Sequence, residues 1–160
     1  MEDRPLNIIS KQRIEVLVQH WREGKLLWEY QGGDLIGSRG RDLLANRIGT
    51  ADPAGRVRYI RASALGTGVG AMSYGDTKLG SVVYHGTVPF TKSSPVGSFQ
   101  FNRSFAIGST YAIRESALFV GTAKGALLRG TMYSRGTFAV RNVNSGDTIT
   151  VNYRGGFVSG

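Results

Sequence analysis

Hydrophobic and polar residues alternate along most of this chain with the period of two that sends successive side chains to opposite faces of an extended strand. In SFQFNRSF (98–105), Phe99, Phe101 and Phe105 fall on one parity with Ile107, and Ser98, Gln100, Asn102 and Ser104 fall on the other. Arg103 interrupts the aromatic side. Residues 14–30 read as a β-hairpin, with Ile14, Val16 and Val18 on one face before REGK, and Leu26, Trp28 and Tyr30 on one face after it. Gly24 is available for the left-handed position of that short turn. Trp21 and Trp28 are expected as cross-strand or core aromatics. From Val57 onward only strands are expected: VRYIRA, SVVYHGTVPF, GSFQFNRSFAI, YAIRESALFV, ALLRGTMYS, TFAVRNV and TITVNYRGGFV, with NSGD (144–147) a tight turn before the last. One helix breaks the pattern. SRGRDLLANRIG has Ser38 as its cap, Leu43, Leu44, Arg47 and Ile48 on one side and Gly49 at its end, a short helix near residues 39–48. QGGDLIGS before it reads as a turn-rich connection, and TADPAG after it as a loop.

Short strands spaced by glycine, asparagine and serine turns point to an all-β fold, an antiparallel β-sandwich of jelly-roll-like form. The 160 residues suffice for one domain with a real core, expected over 14–160, behind an N-terminal arm at 1–13 that orders on docking. The 23 glycines follow no collagen period and fit many tight turns. There is no cysteine, which excludes disulfides and thiolate metal sites. No apolar run approaches the roughly 20 residues of a membrane helix. MEDRPLNIIS lacks the basic and apolar regions of a secretory leader, so a soluble protein left where it is made is the expectation.

The formal net charge is +9. Residues 1–80 hold 12 basic against 9 acidic side chains, and residues 81–160 hold 8 against 2, so the halves contribute +3 and +6. The second-half cations, Lys92, Arg103, Arg114, Lys124, Arg129, Arg135, Arg141 and Arg154, come singly. Without a dense basic run, nucleic-acid binding is disfavoured, and docking on acidic protein surfaces fits as well.

Candidate chemistry is sparse. GTGVGA (66–71) matches a dinucleotide-binding spacing, but no helix is expected after it, so it reads as a loop. His20 and His85 are far apart in sequence with no local carboxylate at ligand spacing, and each reads as a packing or surface residue. Asp147 sits in a turn where its side chain can accept from nearby backbone N–H groups. Glu115 lies among apolar residues and is either exposed between strands or bonded to backbone donors at a bend. Arg103 either pairs with a carboxylate, Glu115 being the obvious one, or marks where its strand meets another subunit. Candidate subunit-interface residues are Arg103, Arg114, Glu115, Arg129 and Arg135. Tyr74, Tyr111 and Phe157 are candidate aromatic contacts for a sugar or receptor, the rival reading of the fold. No catalytic, cofactor or metal residue is expected, and the chain reads as no enzyme.

The order of segments adds a resemblance. GGDLIGSRGRDLLANRI, VRYIRASALGTGVGA, DTKLGSVVYHGTV, TYAIRESALFVGTAKGALLRGTMY and VNSGDTITVNY follow one another as do the motifs of a family of small structural proteins of tailed bacteriophages, labelled tail-fibre or virion proteins. The likeness spans about residues 14–155. ESALF stands where the family has EAGLF, and Ser81 and Val82 stand where it has a glutamate after LG. The resemblance implies a β-sandwich that works by assembly: a tail-fibre, baseplate or tail-tip component, or a capsid decoration protein. Its implied partners are other virion proteins, tail, baseplate or major capsid subunits, together with further copies of itself. Its implied location is the virion, after synthesis in the host cytoplasm.

Overall fold

A computed structural model describes residues 13–38, 40, 60–73, 75–93, 98–120 and 132–156. The expected helix at 39–48 lies outside these residues apart from Gly40, and the expected arm lies outside them apart from Arg13. What is described is all-β and antiparallel, as the alternation predicts.

Nine strands follow in chain order: β1 (Arg13–Arg22), β2 (Lys25–Ile36), β3 (Ile60–Gly66), β4 (Val82–Thr87), β5 (Phe90–Ser93), β6 (Ser98–Ala106), β7 (Tyr111–Val120), β8 (Met132–Val143) and β9 (Thr148–Gly156). They form one continuous sheet in the order β4-β3-β7-β8-β2-β1-β9-β6-β5. The join between β8 and β2 is only two residue pairs long, Leu35↔Arg135 and Ile36↔Ser134. About that narrow join the sheet curls, so that β4-β3-β7-β8 faces β2-β1-β9-β6-β5. Tyr153 of β9 reaches across to Ser63 of β3 and the Ala117 carbonyl of β7. On the far side Arg103 of β6 donates to the Thr87 carbonyl of β4 at 3.0 Å. Between the halves lies the main core, with Ile14, Val16, Val18, Phe101, Phe105, Ile149 and Val151 from one side and Leu65, Ile113, Leu118 and Val143 from the other.

Several expectations shift. QGGDLI is no connection: β2 runs through both glycines to Ile36. SVVYHGTVPF is two strands, broken at Val88 and Pro89, where the chain crosses from one sheet edge to the other. TFAVRNV is the second half of one strand, β8, that begins at Met132. The first hairpin turns at Glu23 and Gly24, both at positive φ (50° and 74°), the mirror-image turn that matches strand twist. Just beyond it, Trp21 opposes Leu26 and His20 opposes Trp28, which leaves Leu27 in a bulge. Leu26 and Trp28 therefore face opposite ways, and the two tryptophans do not oppose each other.

One polar knot is sealed inside. Tyr153 donates to the Ala117 carbonyl at 3.3 Å, so the Ser63 hydroxyl, 3.2 Å away, is the donor to the Tyr153 oxygen. Nearby, Asp34 is fully buried and accepts one long bond from Ser134 at 3.5 Å, while its Oδ1 has no partner. Gly136 is required there, because a Cβ would collide with that oxygen. Burial pushes the Asp34 carboxyl well above its ordinary range, and Ser134 offsets this only in part. The folded chain then keeps a proton that the unfolded chain releases near pH 4. Stability falls by about 1.4 kcal/mol per pH unit from there up to the raised folded value. Asp34→Asn, uncharged throughout, is expected to remove that slope in thermal melts between pH 4 and 8. Parallel pH profiles for the two proteins would contradict the assignment.

Candidate functional site

On the outer face of the β3-β7-β8 layer, Glu115 and Ala117 of β7 neighbour Arg135 of β8. Residues 67–73 and 75–81, between β3 and β4, fold back over this face. Glu115 is fully buried, and its carboxylate accepts the N–H groups of Gly68 (2.9 Å), Ser81 (3.1 Å) and Gly80 (3.2 Å). Arg135, 5% exposed, donates to the same carboxylate through Nη2 at 2.9 Å and Nε at 3.1 Å. Its remaining donors reach the Gly70 carbonyl (2.8 Å), the Ala71 carbonyl (3.0 Å) and Asp76 (2.7 Å). Asp76 in turn accepts from the Ser73 N–H. The loop closes at its base through Thr67 N–H to the Ser81 carbonyl. Leu79 plugs it into a second apolar cluster with Ala62, Ala64, Ala117, Phe119 and Met132.

This geometry explains GTGVGA. A Cβ at Gly66 or Gly68 would strike the Glu115 carboxylate and the backbone of the returning leg, and one at Gly80 would strike Gly68 at 2.8 Å. The glycines let backbone N–H groups crowd one carboxylate, and no helix opens after them. Of the two readings of Glu115, the structure has the one with backbone donors. Its cation is Arg135 rather than Arg103, and neither Glu115 nor Arg135 stands at the surface.

A second array closes the hairpin end of the sandwich. Arg141 Nε donates to His20 Nδ1 at 2.7 Å, so Nδ1 carries the lone pair. His20 Nε2 then carries the hydrogen and donates to Asp147 Oδ2 at 2.7 Å. Asp147 also accepts from Arg22 at 2.7 and 3.0 Å and from the Asn144 N–H at 2.9 Å, the turn-capping bond expected of it. The Arg22 hydrogen bond, above all, holds the Asp147 carboxyl well below the usual range, with Asn144 and His20 acting in the same direction. The sequence puts His20 and Asp147 127 residues apart, and only the pairing of β1 with β9 joins them. Above the array, Arg141 lies 5.7 Å from the Trp28 ring centre. Trp28, Tyr30 and Phe138, all half-buried, meet at 5.6–6.3 Å and pack against the main core, on the stretches of β2 and β8 beyond their short join.

The other candidates scatter. Arg103 packs against Gly86 and over Phe105, 5.4 Å from the ring centre, filling the seam between β4 and β6. Arg114 is half-buried at the irregularity where β8 bulges away from β7. Tyr111 begins β7, half-buried and edge-on to Tyr84 at 5.6 Å, while the Tyr84 hydroxyl accepts from the Gly108 N–H. His85 is exposed on β4. Tyr74, Arg129 and Phe157 lie outside the described residues. Among the described residues no three histidine or carboxylate side chains gather as a metal site. Comparison with family models, with curated proteins and with solved structures finds no match.

Both arrays are open to measurement. Glu115→Ala removes the buried one of two carboxylates on Arg135, leaving the partly exposed Asp76, and is expected to cost about 3 kcal/mol, the low end for breaking a buried pair. Amide exchange should then accelerate at Gly68, Gly80 and Ser81 before the rest of the sheet. Protection retained at those three amides would contradict the anchoring role. For His20, nitrogen chemical shifts should report the Nε2–H tautomer. Because the Asp147 pKa is depressed, its contribution is present above about pH 4, the unfolded value, and fades as pH falls. Asp147→Asn should flatten the acid limb of a melting-temperature profile.

Proposed function

We propose that this chain is a non-enzymatic structural subunit that docks to its neighbours in a tailed-phage particle, as a tail-fibre, baseplate or tail-tip component or as a capsid decoration protein. The observation that carries the assembly reading is where its exposed apolar side chains stand. Leu26, Leu27, Val69, Val82, Phe90 and Val140 are the large apolar residues exposed among those described, and all but Val69 lie on strands with a free lateral edge. Free edges invite pairing with another chain, and proteins blunt them with bulges, prolines and short strands. Here β2 bulges at Leu27, β4 skips Val83 in its pairing, β8 bulges across 138–140, and β5 is four residues long behind Pro89. Backbone addition is thus discouraged at the very places where apolar side chains are offered. Contacts by side chains, multiplied by symmetry, suit a subunit. The order of sequence motifs supports placing that assembly in a virion.

The composition of purified particles tests the proposal. Mass spectrometry of particles from the phage that encodes the chain is expected to find it in many copies per particle, in density that electron cryo-microscopy can locate. Particles that infect normally without it would overturn the reading.

A further inference from the structure

The outward-facing positions of β1, β9 and β6 form three adjoining rungs, Leu17↔Asn152↔Asn102, Gln19↔Thr150↔Ser104 and Trp21↔Thr148↔Ala106. Val16, Val18, Ile149, Val151, Phe101 and Phe105 alternate with them and are buried in the main core, so the rungs stand on the solvent side. None of their side chains is charged, although charges border the patch: Glu29 beside Gln19, and Glu15 and Arg154 on the next rung. Amides and hydroxyls, which both donate and accept, fill most of it instead. Trp21 is half-buried at one corner, and Leu26, 45% exposed, stands opposite it in the ladder.

These groups are aligned before any ligand arrives. Trp21 Nε1 donates to Thr150 Oγ1 at 3.2 Å, the Thr150 hydroxyl donates to Gln19 Oε1 at 3.3 Å, and Gln19 Nε2 donates to Glu29 at 2.7 Å. A carboxylate can only accept, so Glu29 settles the direction of the whole chain of bonds. The chain uses one hydrogen of the Gln19 amide and one oxygen of Glu29, and leaves the other of each to a ligand. One rung along, Asn152 Oδ1 is buried without a hydrogen-bond partner, beside the exposed Asn102. An unpaired acceptor costs free energy that an incoming hydroxyl would recover. Donors and acceptors already fixed in place lower the entropic cost of binding.

We propose that this face binds a neutral oligosaccharide, with one sugar ring against Trp21 and its hydroxyls on Gln19, Glu29, Asn102 and Asn152. A sugar ring has apolar C–H faces for an indole and hydroxyls that donate and accept at once, which is the combination the rungs present. A polyanion would find no cation within the patch and two glutamates at its border. A second copy laid face to face would strip water from the same amides and hydroxyls on both sides. The assembly reading uses apolar side chains on strands with a free lateral edge, so the sugar site goes beyond that reading and does not depend on it.

Nuclear magnetic resonance titration of the nitrogen-labelled full chain tests the site, with maltohexaose, mannohexaose, galactohexaose and an N-acetylglucosamine hexamer as probes up to about 10 mM. At least one is expected to shift the Trp21 indole N–H and the side-chain amides of Gln19, Asn102 and Asn152, with the Trp28 indole unmoved. Asn102→Ala and Ser104→Ala alter exposed positions, and together they should weaken binding about tenfold with an unaltered melting temperature. Trp21→Ala should abolish the shifts. Silence from all four sugars would overturn the site, and so would shifts confined to other residues or a double variant that binds like the parent. Binding to polygalacturonate alone, lost as salt rises, would overturn it in favour of charge. Shifts of the same side chains on raising protein concentration alone would put a second copy where the sugar is placed. The virion reading rests on particle composition in every case.

Discussion

A carboxylate buried between strands must be satisfied where it stands, and the outer face of this sandwich is organised around one that is. Glu115 collects three backbone N–H groups and an arginine fork, the N–H groups from the two legs of the β3–β4 connection and the fork from β8. A buried ion pair is weak as a source of net stability, since apolar side chains of similar volume often do as well. It is strong as a source of direction. Methyl groups packed at the same place would cover the sheet but would not specify which amide sits where. The glycines at 66, 68 and 80 are the imprint of that directionality, because each marks a place where backbone must come closer than a Cβ allows.

The inner face obeys the opposite constraint. The sheet is continuous but its halves share only two residue pairs, so what keeps them face to face is apolar contact together with a few long-range polar bonds. Tyr153 spans the sandwich to Ser63 and Ala117, and Arg103 spans it at the far seam. Asp34 beside the join is the strained member, buried with one oxygen unpaired in a space that only Gly136 leaves open. The inner face is held by exclusion of water, and on the outer face directed charge fixes the position of the loop over an apolar cluster. Two different chemistries hold the two faces of one layer.

Much of the strand architecture was legible because half-buried strands must alternate. Phe101, Phe105 and Ile107 are buried while Asn102 and Ser104 are exposed, as their parity predicts. What alternation could not register is where a ladder slips. A bulge changes no residue type, so the reversal of Leu26 relative to Trp28 is visible only in the pairing with β1. The two glycines of QGGDLI suggested a turn by composition, yet a strand paired along one side tolerates glycine where a side chain presses close, and the Tyr30 ring lies against Gly32. At the outer site, backbone donors for Glu115 were foreseeable from its apolar surroundings. Arg135 was not identified as its partner, since cross-strand neighbours twenty residues apart are set by register. The His20–Asp147 contact is more distant still and left no local signal.

These pairings change the meaning of the net charge. Read along the chain, +9 suggests a diffuse cationic coat waiting for an acidic partner. In the fold, Arg22, Arg103, Arg135 and Arg141 are each engaged with the chain's own atoms, two of them on the only carboxylates that the second half possesses. The interior thereby consumes both anions of the second half. The surface of the described residues stays mixed in sign, with Glu15, Glu23 and Glu29 exposed alongside Arg22, Lys25, Lys78 and Arg154, so the excess of positive charge is a balance between the two signs and not a uniform coat.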